Sequence, residues 1–207
     1  QERGKAMWES VFERPWNEED IEDLYQSFEN TLSKVVAQYS IPIPGVATTV
    51  DELRKEGIKI GSTTGYTSEM MEYVLPVAKE GGYAPDTVVT PDITGHSRPS
   101  PFMIYECMRR SNVYPASHVV KVGDTVMDIL EGKNAGAWTV GIIIGSNLMG
   151  MSQEEYDAAE KEDIARKKKE VEQIYIEAGA DYVIDSIREL PETILKINLR
   201  LAEEGKK

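Results

Sequence analysis

The chain has 207 residues, of which 41% are hydrophobic, which suits one medium-sized globular domain or a domain with a small appendage. Its 36 acidic and 23 basic residues give a net charge of −13, which disfavours nucleic acid and anionic membranes as partners. Cys107 is the only cysteine, so a disulfide framework and a cysteine-based zinc site are excluded.

The sequence pattern predicts neither a targeting segment nor a membrane span. No basic segment followed by an apolar one begins the chain, and the longest apolar run, 137–144, is far shorter than the roughly 20 residues of a span. We therefore expect a cytoplasmic location. Residue 1 is Gln rather than Met, so we also expect the sequence to be processed, truncated or incomplete.

Residues 1–40 predict a small helical unit. Asn17 is a favourable N-cap, and the acidic residues 18–20 fill the first turn, where the helix dipole favours negative charge. The apolar residues that follow at helical spacing form one stripe: Ile21, Leu24, Tyr25, Phe28, Leu32, Val35 and Val36. We interpret the stripe as core packing, with a subunit contact as the alternative. A proline- and glycine-rich hinge at 42–45 indicates that a second domain occupies 41–207.

The second domain alternates strands with helices. Strands are predicted at 58–64, 87–90, 119–122, 138–144 and 182–184, and helices at 68–80, 101–110, 126–135, 152–178 and from 187 onward. Apolar, β-branched strands separated by helices are typical of a parallel sheet that is covered on both faces. The sequence therefore predicts a doubly wound α/β fold.

The first polar segment is Gly-Ser-Thr-Thr-Gly-Tyr at 61–66, at the end of a predicted strand. Open α/β sheets bind their ligands at the carboxyl ends of the strands. Thr64 offers a hydroxyl there and Gly65 an accessible backbone N–H, both of which suit an anion. The alternative is that Thr64 is an ordinary helix cap.

The second segment is Arg98-Pro99-Ser100-Pro101, which follows Gly95 and leads into a predicted helix. The two prolines stiffen the loop. The planar guanidinium of Arg98 could therefore bind a phosphate through two parallel hydrogen bonds. A surface salt bridge is the alternative.

The third segment, at 121–128, is Lys-Val-Gly-Asp-Thr-Val-Met-Asp. Asp124 follows an apolar strand, and Asp128 lies one helical turn further on the same face. Two carboxylates this close favour a neutralising cation, and oxygen ligands suit Mg²⁺. The alternative is that Asp124 caps the helix while Asp128 is merely exposed.

Together, in this order, the three segments resemble motifs two, three and four of the haloacid dehalogenase superfamily. The amino-acid sequence in and around these segments resembles one family within it, the phosphonoacetaldehyde hydrolases (phosphonatases). The similar stretches are GIKIGSTTGY at 57–66, Arg98-Pro99, and YPASHVVKVGDTVMDILEGKNAGAWTVG at 114–141.

The resemblance implies Mg²⁺-dependent hydrolysis of the carbon–phosphorus bond of phosphonoacetaldehyde to acetaldehyde and phosphate. It implies that Asp124 is a Mg²⁺ ligand and that Asp128 lies beside it, either bound through water or orienting the site. Thr64 and the N–H of Gly65 would hold phosphoryl oxygen, and Arg98 would stabilise phosphoryl charge.

Further expectations come from the same resemblance. Tyr66 would face the aldehyde and take part in proton relay, or would be a packing residue. Residues 1–40 would be the remaining part of a helical cap domain, and a homodimer would form through the caps.

Two parts of the family's machinery are not found in the sequence. The Asp-x-Ala-Gly-Thr segment that carries the nucleophile and the cap lysine that forms an iminium are both missing. The strand with the nucleophile should be central in the sheet, between the strands that end at Thr64 and Asp124. We therefore expect these residues alone to be inactive. The alternatives are a capped phosphatase acting on a phosphate ester and a non-catalytic relative that binds phosphate or Mg²⁺.

Overall fold

A computed structural model of the chain describes residues 17–20, 22, 23, 36 and 39–204. Most of the predicted apolar stripe lies outside the described residues, so the helical cap stays a prediction. The predicted N-cap is confirmed, because the side chain of Asn17 accepts a hydrogen bond from the backbone N–H of Asp20 at 2.8 Å. Among the described residues, no helix is both long and apolar enough to cross a membrane.

Five strands are found in the described part of the chain, and each runs parallel to its neighbours. Strand β1 (Gly61–Thr63) pairs with β2 (Thr87–Val89) in one sheet. The second sheet has the order β3 (Val120–Gly123), β4 (Trp138–Ile142), β5 (Tyr182–Ile184). The parallel α/β architecture is therefore confirmed, although the strands form two separate sheets rather than a continuous one.

The helices lie before, between and after these strands. They are α1 (Val46–Lys55), α2 (Ser68–Glu80), α3 (Pro91–Thr94), α4 (Phe102–Ser111), α5 (Val126–Ala135), α6 (Gln153–Ala158), α7 (Lys161–Glu177) and α8 (Leu190–Glu204). Two short 3₁₀ turns cover Ala116–His118 and Ile187–Glu189.

Most element predictions are correct to within a few residues. The helices at 68–80 and 126–135 and the strand at 182–184 match α2, α5 and β5 residue for residue. The charge-dense region 152–178 forms two helices rather than one, because the backbone at Ala159 adopts an extended conformation. Helix α1 was not predicted, since the two threonines and two valines among its first five residues favour strand as much as helix.

Helices cover both faces of the larger sheet, as a doubly wound fold requires. On one face, Val140 of β4 belongs to a cluster with Leu53 of α1 and Ile197 of α8. On the other face, Gly141 lies against the ring of Tyr175 of α7, where an added Cβ would be only 2.7 Å from a ring carbon. Val140 and Gly141 contact different helical layers because successive residues of a strand point to opposite faces of the sheet.

A gap separates the two sheets. Strand β1 pairs only with β2, and β3 pairs only with β4, so each has one edge without a strand partner within the described residues. A cavity of about 970 Å³ is lined by both strands and by apolar residues of α1, α4 and α8. The central strand expected from the family resemblance would occupy this place between β1 and β3. That strand itself stays a prediction.

Candidate active site

The three polar segments meet where β1 and β3 end. Thr64 directly follows β1, Asp124 directly follows β3, and Arg98 lies in the loop before α4. Arg98 connects the two sides: its Nη1 lies 2.5 Å from Oδ1 of Asp128. Its Nη2 lies beside Gly65, since a Cβ added to that glycine would be 3.3 Å away. The guanidinium therefore joins the loop after β1 to the first turn of α5.

The loop after β1 keeps Thr64 outside the following helix. Thr67 caps α2 by accepting a hydrogen bond from the N–H of Met70 at 3.3 Å. The hydroxyl of Thr64 accepts one from the N–H of Tyr66 at 3.1 Å. The helix-cap alternative for Thr64 is therefore wrong. No described residue accepts a hydrogen bond from its hydroxyl, which is thus available to donate to an anion. Gly65 next to it is exposed.

Tyr66 lies at the edge of a separate small pocket. The pocket has a volume of about 260 Å³ and is lined by Tyr66 together with Thr64, Met71 and other mainly apolar residues. The side chain of Tyr66 is 39% exposed. Its position beside Thr64 is compatible with contact to a bound ligand, and the role in proton relay stays a prediction.

Asp128 is buried and fully engaged. Its Oδ2 accepts hydrogen bonds from the N–H and the hydroxyl of Thr125, at 3.1 and 2.6 Å. Its Oδ1 contacts Arg98 and also lies 3.0 Å from Nζ of Lys121. Burial raises the pKa of Asp128, but Lys121, Thr125 and Arg98 more than offset burial and lower it to about 2. The alternatives of an exposed Asp128 and of a surface salt bridge for Arg98 are therefore wrong.

Asp124 is in the opposite situation. It is half-buried, lines the cavity between the sheets, and makes no hydrogen bond or ion pair with the described residues. Thr125, and not Asp124, is the N-cap of α5, which makes the helix-cap alternative wrong for Asp124 as well. The carboxylate of Asp124 is thus the one that remains available to a cation.

The backbone packs tightly between the two carboxylates. A Cβ added to Gly123, the last residue of β3, would lie only 2.2 Å from Cβ of Asp128. Glycine is therefore required here for the first turn of α5 to approach the end of the strand. This close approach holds Asp128 beside Gly123, the last residue of β3, which directly precedes Asp124.

The donor set fits Mg²⁺. No group of three or more His, Cys, Asp or Glu side chains suited to a metal is found among the described residues. Mg²⁺ does not need one, because it keeps several waters and is commonly bound by one or two carboxylates plus phosphate oxygens. Asp124 supplies such a carboxylate, and Asp128, whose two oxygens are already hydrogen-bonded, is better placed to orient the site.

Sequence reasoning missed two polar residues behind the site. Lys121 of β3 reaches Glu131 of α5, with 2.8 Å between Nζ and Oε2. The available signal for Lys121 was a charged residue between Val120 and Val122 in a predicted apolar strand. For Glu131, the only signal in the sequence was its position one helical turn after Asp128, on the same face of the predicted helix.

Comparison with known proteins identifies the class. The family model for haloacid dehalogenase-like hydrolases matches residues 2–142. The chain belongs to this family of hydrolases, which the parallel α/β fold and the polar residues after β1 and β3 also fit.

More specific similarity is to phosphonoacetaldehyde hydrolases. The chain is 45% identical to the enzyme of that name from Bacillus cytotoxicus, covering 93% of this chain and 73% of that protein. It is 48% identical to the one from Parabacteroides distasonis, covering 92% and 72%. The crystal structure of a phosphonoacetaldehyde hydrolase like protein from Oleispira antarctica superposes with a TM-score of 0.91 at 37% identity, covering 98% of this chain and 74% of that one.

Proposed function

We propose that this chain forms the phosphoryl- and Mg²⁺-binding part of an enzyme that hydrolyses phosphonoacetaldehyde to acetaldehyde and phosphate. The observation that carries the proposal is the position of Arg98, whose guanidinium contacts Asp128 and also lies beside Gly65. One cation thus borders both the loop that offers donors to phosphoryl oxygen and the helix turn next to Asp124. The names of the two relatives that are 45% and 48% identical to this chain support phosphonoacetaldehyde as the substrate.

Each residue of the site would act on the phosphoryl group in a defined way. Thr64 would donate its hydroxyl hydrogen, and Gly65 its backbone N–H, to phosphoryl oxygens. Arg98 would use the guanidinium edge that Asp128 leaves open, so that negative charge on the phosphoryl oxygens is offset. Asp124 would hold Mg²⁺, which supplies charge neutralisation and aligns the phosphoryl group when bound.

The nucleophile would come from a strand in the gap between the sheets. The Asp-x-Ala-Gly-Thr segment of the family does not occur in these 207 residues. A parallel strand between β1 and β3 would place its carboxyl end between Thr64 and Asp124, which is where an attacking aspartate is needed. We therefore propose that these residues do not turn over the substrate without such a segment.

The chemistry explains why a lysine is also needed. A carbon leaving group departs with the bonding electron pair, which makes it a poor leaving group. In the mechanism that the family resemblance implies, a lysine amine condenses with the aldehyde to an iminium and releases water. The aspartate attacks phosphorus, and the electrons of the broken carbon–phosphorus bond form an enamine. Water then hydrolyses the aspartyl-phosphate, and protonation and hydrolysis of the enamine release acetaldehyde and the lysine.

A product assay tests the proposal. The chain would be joined at its N-terminus to the segment of the Bacillus cytotoxicus relative that precedes the matching region, and incubated with phosphonoacetaldehyde and Mg²⁺. We expect phosphate and acetaldehyde in equal amounts from the fused protein, and neither product from the 207 residues alone or from the fused Asp124→Asn variant. A folded fused protein that releases no phosphate would show the proposal to be wrong.

The second candidate is a capped phosphatase that acts on a phosphate ester. The same phosphoryl site serves both reactions, so the lysine is the difference. Borohydride reduces an iminium to a stable amine, which mass spectrometry detects as an added mass on one lysine. Trapping with phosphonoacetaldehyde supports the phosphonatase. Phosphate release from esters without trapping supports the phosphatase.

A further inference from the structure

A buried ion cluster lies directly behind the candidate site. Nζ of Lys121 lies 2.8 Å from Oε2 of Glu131 and 3.0 Å from Oδ1 of Asp128, and it contacts the hydroxyl of Thr63 at 2.7 Å. The same hydroxyl lies 2.9 Å from Oε2 of Glu131. Glu131 is completely buried, and the side chain of Lys121 is only 10% exposed. The cluster therefore connects β1, β3 and α5 through charged groups that are largely removed from water.

A buried ion cluster of this kind is expected to add little to the free energy of unfolding. Desolvation of two charges offsets most of their attraction, and apolar residues of similar volume often stabilise a protein as well or better. The second oxygen of Glu131, Oε1, is buried and has no hydrogen-bond partner among the described residues. An unsatisfied buried acceptor adds a further cost. The arrangement thus needs an explanation other than stability.

The contact between Lys121 and Asp128 provides that explanation. Lys121 and Arg98 approach the same oxygen, Oδ1, of Asp128. A carboxylate and a guanidinium left as a pair tend to close into two parallel hydrogen bonds. Lys121 contacts Oδ1 of Asp128, and Thr125 donates two hydrogen bonds to Oδ2. Oδ2 is therefore not available to accept a second hydrogen bond from Arg98. Only Nη1 of Arg98 is engaged there, and Nη2 remains beside Gly65.

We propose that Lys121 and Glu131 are positioning residues of the phosphoryl site. Glu131 holds the ammonium of Lys121, and Lys121 shares Asp128 with Arg98, so that one edge of the guanidinium stays directed to the bound phosphoryl group. Neither residue touches the substrate. The inference rests on the proposed phosphoryl site, and it adds two residues that act on that site through Asp128.

Paired substitutions separate positioning from stability. Lys121→Met alone leaves Glu131 charged and uncompensated, so the melting temperature should fall sharply. Lys121→Met together with Glu131→Met removes both charges at similar volume, and the melting temperature should recover to near that of the unmodified protein. Affinity for inorganic phosphate in the presence of Mg²⁺, measured by calorimetry, should remain about 10- to 100-fold lower in the double variant. The control is Lys196→Met with Glu192→Met, an exposed pair on α8, which should change neither quantity.

The outcomes are distinguishable. If the double variant recovers both stability and phosphate affinity, the cluster is only structural and the inference is overturned while the proposed function stands. If the unmodified protein binds no phosphate, the proposed function and the inference are overturned together. Should the double variant not fold, Glu131→Gln provides the comparison, since it keeps the volume and removes the charge that holds Lys121. A folded Glu131→Gln protein with several-fold lower phosphate affinity supports the inference, and unchanged affinity overturns it.

Discussion

Two carboxylates four residues apart are placed in opposite environments. Asp128 is buried among Arg98, Lys121 and Thr125, whereas Asp124 has no hydrogen bond or ion pair within the described residues. The sequence shows the same residue type at both positions, and only the packing distinguishes them. We therefore propose that Asp124 binds the cation and that Asp128 orders the side chains around it.

Isosteric amide substitutions test this division. Asp124→Asn should lower Mg²⁺ affinity at least about 10-fold with little change in thermal stability, because no described residue depends on that carboxylate. Asp128→Asn should lower the melting temperature, because Lys121 and Arg98 would lose the negative charge between them. Calorimetric Mg²⁺ titration and thermal unfolding measure the two effects. A larger stability loss from Asp124→Asn than from Asp128→Asn would contradict the assignment.

The lowered pKa of Asp128 gives a pH dependence with a definite sign. Its folded value of about 2 lies below the 3.8 of a free side chain. The stabilisation is therefore complete above about pH 4 and is lost as the pH falls toward 2, and it amounts to about 2 kcal/mol. The difference in melting temperature between the unmodified protein and Asp128→Asn should shrink over this interval. A difference that stays constant from pH 5 to pH 2 would show that Asp128 titrates normally.

At the level of elements, the approach of α5 to the larger sheet determines the site. Gly132 lies where α5 crosses the sheet: an added Cβ would be 2.5 Å from Cγ2 of Thr139 and 2.9 Å from Cβ of Lys121. This contact sets the distance between the helix that carries Asp128 and Glu131 and the strand that carries Lys121.

Gly132→Ala should therefore destabilise the protein. Alanine gains up to about 1 kcal/mol in helix propensity, but the overlap with β3 and β4 should cost about 1–3 kcal/mol, and we expect a melting temperature lower by a few degrees. Gly65→Ala is the control, since its added Cβ meets only the end of Arg98 at 3.3 Å. Thermal unfolding followed by circular dichroism compares them. A Gly132→Ala variant at least as stable as the unmodified protein would contradict this view of the packing.

Some features of these elements could be predicted from the sequence, and others could not. Asp124 was predicted correctly to follow a strand, whereas Thr64, predicted as the last residue of its strand, lies one residue beyond β1. The two were expected to lie near each other because the carboxyl ends of parallel strands share one edge of a sheet. The choice of Thr125 over Asp124 as N-cap was not predictable, since both residue types cap helices well and a shift of one residue decides between them. The pair of Lys121 and Glu131 depends on how α5 packs on β3, which no local pattern encodes.

At the scale of the whole molecule, the dominant feature of the part that the structure describes is the gap between the two sheets. The residues proposed to bind the phosphoryl group and the cation lie on opposite sides of it, at the ends of β1 and β3, and the side chains of Arg98 and Lys121 reach across it. Two short parallel sheets whose facing edges have no strand partner among the described residues bury less apolar surface than one continuous sheet would. A central strand would complete the fold and supply the nucleophile at the same position, so folding and catalysis would depend on the same segment.

The most direct test of the account is a crystal structure of the protein with Mg²⁺ and phosphate. We expect the metal at the carboxylate of Asp124, and phosphate oxygens at the hydroxyl of Thr64, the N–H of Gly65 and the guanidinium of Arg98. Asp128 should keep its contacts with Lys121 and Thr125. Phosphate and metal bound at separate surfaces, or absent from the ends of β1 and β3 at saturating concentrations, would contradict the proposed site.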